Sequence, residues 1–445
     1  MTSVAAAAEA DGTSVPGPAR LEVDPLLDDP ETRIVVCCGA GGVGKTTTAA
    51  ALGVRAAERG RRVVVLTIDP ARRLAQSMGI DELDNTPRRV PGVRGDGELH
   101  AMMLDMKRTF DEIVEAHADP ERARAILANP FYQSLSAGFA GTQEYMAMEK
   151  LGQLRAREAW DLIIVDTPPS RSALDFLDAP KRLGSFLDGR LIKVLMAPAK
   201  VGGRAGMKFL NVGMSMMTGT LGKLLGGQLL RDVQTFVSAM DTMFGGFRTR
   251  ADATYRLLQA PGTAFLVVAA PERDALREAA YFVERLAAEQ MPLAGLVLNR
   301  VHGSRAAWLS AERALAAAEN LAEAGEAAGG AAAGSENLAG GGIVDQGGGQ
   351  TGGGRPDAVS PEAPAAAETP ASGASAETSP AVARLTTGLL RLHAERMRVL
   401  ARERRTRDRF TALHPDVAVA EVAALPGDVH DLAGLRDIAT RLATG

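Results

Sequence analysis

Gly39-Ala40-Gly41-Gly42-Val43-Gly44-Lys45-Thr46-Thr47 is the stretch that decides how this chain folds. From Gly39 to Thr46 it satisfies the spacing G-x-x-x-x-G-K-[ST], the signature of a phosphate-binding loop. Both flanks suit it. Ile34 to Cys38 is a short apolar run that reads as a buried strand, and Thr47 to Glu58 is an Ala-rich run that reads as a helix. The glycines let backbone N–H groups converge on phosphate oxygens without a Cβ in the way. The helix N-terminus adds partial positive charge at the same point. Lys45 would reach the terminal phosphates, and the Thr46 hydroxyl would sit on Mg²⁺.

Further apolar runs extend the pattern outward. Arg62 to Ile68, Leu99 to Asp105, Leu162 to Val165, Ala264 to Ala270, Leu293 to Asn299 and Val417 to Ala424 read as strands. Between them, Lys107 to Leu127 (broken at Pro120), Thr142 to Glu158 and Asp431 to Ala443 read as helices. Continuously apolar strands alternating with helices imply a mostly parallel sheet covered on both faces, an α/β fold. Strand C-termini line one edge of such a sheet, and ligands bind in the crevice there. Asp69 and Asp166 each end a strand, so both carboxylates are expected beside the loop. One would hold Mg²⁺ and the other would orient or deprotonate water; the competing role for each is a helix N-cap.

Composition bounds the remainder. The 445 residues carry 50 Lys+Arg against 54 Asp+Glu, a net charge of −4. That balance argues against nucleic acid as the main partner. The two cysteines, Cys37 and Cys38, are adjacent, which leaves no disulfide framework and no Cys-x-x-Cys zinc site. With no signal peptide and no apolar run of membrane-spanning length, a cytoplasmic protein is expected. Residues 1–30 read as a disordered arm, and 31–312 as the nucleotide-binding core. That core includes an irregular Met-rich subdomain at about 180–250, where Leu221, Leu225, Leu229, Val233, Phe236, Met240 and Phe244 recur at helical spacing. Residues 313–383 read as a low-complexity disordered insertion, most pronounced between Gly325 and Pro380. Residues 384–445 complete the core domain. The Arg-rich run of Arg402, Arg404, Arg405, Arg407 and Arg409 reads as a solvated helix face.

The loop, followed by Ile68-Asp69-Pro70-Ala71-Arg72 and Asp166-Thr167-Pro168-Pro169-Ser170, resembles the ArsA-type ATPases. That group holds the arsenite-pump and anion-transporting ATPases and the related ATPase that targets tail-anchored membrane proteins. The likeness extends to Gly141-Thr142-Gln143-Glu144-Tyr145-Met146, to Val297-Leu298-Asn299, and to Leu425 through Leu432. It implies a P-loop NTPase fold with a helical subdomain, and a Mg-dependent ATP hydrolase working as a nucleotide-driven dimer switch. ATP would be held by Gly39, Gly41, Gly42, Val43, Gly44, Lys45, Thr46 and Thr47, with Asn299 on the adenine and Ala424 to Asp428 covering the base. Thr46, Asp69 and Asp166 would hold Mg²⁺, with Asp69 and Lys45 catalytic. The Met-rich segment would be either a groove for a hydrophobic or membrane client, or core and dimer interface.

The departures from the family pattern carry information too. Ala40 stands where the family's loop has a lysine that reaches across the dimer to the partner's nucleotide. This points to a heterodimer with a paralogous ATPase that keeps the lysine, or to a regulatory subunit that hydrolyses little. Arg72-Arg73 and Arg171-Ser172 replace the family's usual His-Ser and Gly-His. A partitioning or septum-positioning ATPase is a further alternative, though such proteins keep the loop lysine and lack a Met-rich insertion.

Overall fold

The computed structural model describes residues 19–68, 73–136, 142–168, 246, 249–334 and 380–444. Asp69 to Arg72, Gly141, the segment after Pro168 that holds Arg171 and most of the Met-rich stretch, and the insertion at 335–379 lie outside them. The described chain divides into two compact units, residues up to Gly303 with Glu403–Gly445, and Ser304–Arg402.

The first unit is built on an eight-stranded sheet. Its strands are β1 (Ile34–Gly39), β2 (Arg62–Thr67), β3 (Arg88–Arg89), β4 (Glu98–Met103), β5 (Leu162–Asp166), β6 (Thr263–Ala269), β7 (Leu293–Val301) and β8 (Val419–Ala423). They lie in the order β3-β4-β2-β5-β1-β6-β7-β8. Every neighbour pair is parallel except β3 with β4. The strands expected from the apolar runs are thus present, with ends shifted by a residue or two. Only the two-residue edge strand β3, which is charged and exposed, gave no apolar signal.

The reason the strands are continuously apolar is visible in β1, where all six residues are buried. Side chains alternate across a strand. Ile34, Val36 and Cys38 enter one core with α4 (Met106–His117), α7 (Thr142–Ala156) and α8 (Arg273–Ala288). Val35 and Cys37 enter the other, with α2 (Lys45–Glu58) and α11 (Leu432–Thr444). The two adjacent cysteines therefore face opposite cores. α2 lies close to the sheet at Gly53, and five of its buried residues are alanine. A Cβ on Gly53 would stand 2.7 Å from Val65 Cγ2, so even alanine needs a local shift there. The remaining short helices are α3 (Arg73–Ser77), α5 (Pro120–Leu127) and α6 (Pro130–Ser136). The expected break at Pro120 is the gap between α4 and α5, and Pro120 opens α5 behind an Asp119 cap. α7 was expected to be amphipathic on Met146, Leu151 and Leu154; those three are buried, and so is every residue from Tyr145 to Lys150. Lys150 is accommodated by a 3.0 Å ion pair with Glu112.

Two expectations about disorder are corrected within the described residues. The expected arm, residues 1–30, holds α1 (Val23–Asp28), and Leu21, Val23 and Leu27 are buried against α2 and the sheet. Asp24 and Asp28 pair with Arg55 and Arg59 of α2. This short acidic helix is held by partners about thirty residues away, which local composition does not report. The expected insertion from 313 begins instead as helix, because α9 runs over Ala311–Gly334. Its alanines are the strongest helix formers, and that propensity prevails where large apolar residues are absent.

The second unit holds α9 and the first part of α10 (Pro380–Leu413). Ala311, Ala314 and Ala394 form its small core, with Leu309, Leu315, Leu390 and Met397 packed around them. His393 Nε2 lies 2.9 Å from the Leu309 carbonyl, which ties α10 to the segment leading into α9.

Candidate nucleotide site

The phosphate loop joins the end of β1 to the start of α2, as the motif requires. Gly44 caps α2 in a left-handed conformation with φ +95°. A Cβ there would also lie 2.3 Å from Asn299 Nδ2, so glycine is required by conformation and by space. The first turn of a helix has backbone N–H groups with no acceptor earlier in the helix, and α2 begins directly at this loop. Lys45 is buried, and its Nζ donates to the Ala40 carbonyl across the loop at 2.9 Å. Ala40 itself is buried in the α2-side core.

Asp166 reaches the loop from the neighbouring strand. β5 lies between β1 and β2, with Asp166 in register with Cys37 on one side and Thr67 on the other. The Thr46 hydroxyl donates to Asp166 Oδ2 at 2.7 Å, and the Thr67 hydroxyl donates to the same oxygen at 2.9 Å. The carboxylate is fully buried, so these donors offset part of its desolvation. Asp166 ends β5 and is followed by Thr167 and Pro168 outside any helix, and its Oδ2 accepts from Thr46 in the first turn of α2. Thr167, the next residue, donates to the Cys37 carbonyl at 2.9 Å and fixes the exit of β5 against β1. The contacts made by Thr67 and Thr167 were not singled out from the sequence. Their signal was their place, one beside each strand-ending aspartate region, in Thr67-Ile68-Asp69 and Asp166-Thr167-Pro168.

Thr46 and Asp166 present hard oxygen donors at one spot, the chemistry that suits Mg²⁺. The third expected ligand, Asp69, lies outside the described residues. So does any contribution from Arg72 or Arg171.

Asn299 comes to the loop from the other side of β1. It ends the regular part of β7, where the pairing with β8 shifts register between Leu298 and Val301. Arg300 takes φ +59°, and its N–H donates to Asn299 Oδ1 at 2.9 Å. This bulge turns the Asn299 amide toward the loop, where Nδ2 donates to the Val43 carbonyl at 2.8 Å. Asn299 therefore braces the loop backbone directly, a contact the sequence reading did not anticipate. The segment Ala424 to Asp428 leaves β8 beside it, with Ala424 N–H donating to the Val301 carbonyl at 2.9 Å.

The cysteines lie just before this site and are inert. Burial holds the Cys37 thiol well above its ordinary range, with the Asp166 charge adding to the effect. Burial pushes Cys38 up to about 12. Neither is a thiolate near neutral pH, so capture of a thiophilic anion through these residues is excluded.

Comparison with known proteins agrees with this geometry. The anion-transporting ATPase family, ArsA ATPase, matches residues 32–308, more than half of the chain. Among curated relatives, the ATPase GET3 of Malassezia globosa is 30% identical over 162 residues, which cover 36% of this chain and 46% of that protein. The ATPase GET3 of Podospora anserina is 26% identical over 278 residues, 62% of this chain and 75% of that protein. That of Phaeosphaeria nodorum is 26% identical over 283 residues, 63% and 79% of the respective chains. The chain thus spans less than half of the first relative and about three quarters of the other two. On the loop, the sheet and the matched span together, the chain belongs to the ArsA-type, anion-transporting family of P-loop ATPases.

Proposed function

We propose that the chain hydrolyses Mg-ATP at this loop and uses the cycle to close and open a dimer that handles a hydrophobic or membrane-associated client in the cytoplasm. The observation that carries the reading is the 2.7 Å contact between Thr46 and Asp166 beside buried Lys45. It brings the two expected Mg²⁺ ligands of the described residues to one point. Bound there, the ion would neutralise charge on the phosphates. Lys45 would leave the Ala40 carbonyl for the terminal phosphates. The loop N–H groups would hold the phosphate oxygens, and Asn299 would set the loop's shape while contributing to the base site. Asp69 would orient the attacking water. Its contribution belongs to the transition state, so Asp69→Asn is expected to abolish turnover while leaving ATP binding within about tenfold. A variant with near wild-type turnover would assign Asp69 to capping.

Ala40 favours a second reading, a subunit that hydrolyses little on its own. A cation supplied in trans is worth orders of magnitude in phosphoryl transfer, and a homodimer of this chain lacks the family's loop lysine in both sites. The partner of choice is therefore a paralogous ATPase that keeps it. Turnover by the chain alone, then with such paralogues from the same cell, tests this. Robust turnover by the homodimer, unchanged by the paralogue, contradicts the heterodimer and points to Arg72, Arg73 or Arg171 as the substitute.

A further inference from the structure

Eight large apolar side chains are exposed among the described residues, and six of them belong to the second unit. Trp308 precedes α9, and Val382, Leu385, Leu389, Leu392 and Val399 lie on α10. Leu385, Leu389 and Leu392 are 66%, 58% and 63% exposed, values ordinary for lysine and costly for leucine. Their steps of three, four, three and seven residues from Val382 to Val399 place them on one side of the helix. That side is not the one α9 covers. Leu392 stands two residues from Leu390 and two from Ala394, both packed against α9. Two residues turn a helix by about 200°, so the exposed stripe faces away from α9.

The charge beside the stripe is net basic. Arg384, Arg391 and Arg398 recur every seventh residue along its flank and are exposed. From Pro380 to Arg402 there are five arginines against one glutamate, in a chain whose net charge is −4. Glu312, Glu319 and Glu323 are on α9, behind the stripe, and the one glutamate of this part of α10, Glu395, is exposed between Arg391 and Arg398. A second copy of this chain laid against the stripe would oppose arginine with arginine. An anionic bilayer would take both features at once, phosphate headgroups with the arginines and the acyl boundary with the leucines. No helix among the described residues is long and apolar enough to cross a membrane, so the contact is with the surface.

We propose that the face of α10 carrying Leu385, Leu389 and Leu392, with Arg384, Arg391 and Arg398 beside it, is a docking surface for anionic membrane lipid. It is independent of the ATPase reading, because binding is measured without nucleotide. The test is flotation of the full chain with vesicles of phosphatidylcholine alone, or of phosphatidylcholine doped with phosphatidylglycerol. Flotation is expected only with the anionic vesicles, and it is expected to fall as salt is raised. Leu389→Asp with Leu392→Asp, and separately Arg391→Glu with Arg398→Glu, should each lower the bound fraction about tenfold or more while leaving thermal unfolding unchanged. A wild-type chain that does not float, or variants that float equally well, overturns the proposal. Self-association of the lipid-free chain that the leucine variant abolishes, or binding of acidic helical peptides to the stripe without flotation, assigns it to another occupant and overturns the proposal as well.

Discussion

In the ATPase core, β1 runs six consecutive residues without exposure, closed between two helical layers. In the second unit, α10 packs Leu390 and Ala394 against α9 and leaves Leu389 and Leu392 in water. The two regions use similar apolar residues for different ends. Burial on both faces of the sheet supplies the free energy that holds Lys45, Thr46 and Asp166 within hydrogen-bonding reach. Among the described residues, the second unit has a small alanine-lined core, and the exposed leucines of α10 lie outside it. Exposed leucines in a chain that otherwise buries its core signal an interaction surface; buried polar groups that find partners signal a site.

Substitution separates the two roles. Leu266 on β6 is fully buried, and Leu266→Ala is expected to destabilise the core by about 2–5 kcal/mol. Leu389→Ala is expected to stay within about 0.5 kcal/mol of wild type. Denaturant unfolding of both checks this, and a loss at Leu389 as large as at Leu266 would erase the distinction. Removing residues 335–379 changes the length of the connection between α9 and α10, and loop closure depends weakly on length. Stability is expected to shift by about 1 kcal/mol or less, with ATP binding intact. Denaturant unfolding and an ATP titration of the deletion variant check the two.

The smallest effect concerns α1. The hydrogen bond from Arg55 holds the Asp24 carboxyl below its ordinary range, outweighing partial burial. A carboxyl with a depressed folded value contributes stability above its unfolded value, near 3.9, and loses it as pH falls through the folded value. Asp24→Asn is therefore expected to cost about 0.5 kcal/mol near neutral pH, since the pair is partly exposed. The cost should vanish as the pH is lowered below about 4. No cost at neutral pH would mean that α1 is held by Val23 and Leu27 without the pair, and an equal cost at both extremes would mean that the loss is not one of charge.

The sequence revealed the core and the loop because both carry local signals. Continuous apolar runs mark strands buried on both faces, and glycines at fixed offsets before Lys45 mark the loop. What it concealed depends on distant partners. α1 docks through arginines on α2, β3 is a charged edge pair, and Asn299 reaches Val43 only because β7 lies two strands from β1 and bulges at Arg300. α9 was hidden by a different cause: composition poor in large apolar residues was read as disorder, although alanine favours helix without any core to fill. On α10, the arginine run reads as a solvated face. Arg404, Arg405 and Arg409 are exposed as expected, whereas Arg407 pairs with Glu421 at 2.8 Å.

The central claim is that the loop, with Lys45 and the Thr46–Asp166 pair, is the nucleotide site. Calorimetric titration of Mg-ATP into the wild-type chain, Lys45→Ala and Thr46→Ala tests it most directly. The wild type is expected to bind saturably. Each variant loses a contact to a charged phosphate or to the ion, and should bind about tenfold or more weakly. Equal affinity in all three chains would contradict the account and take the loop out of the site.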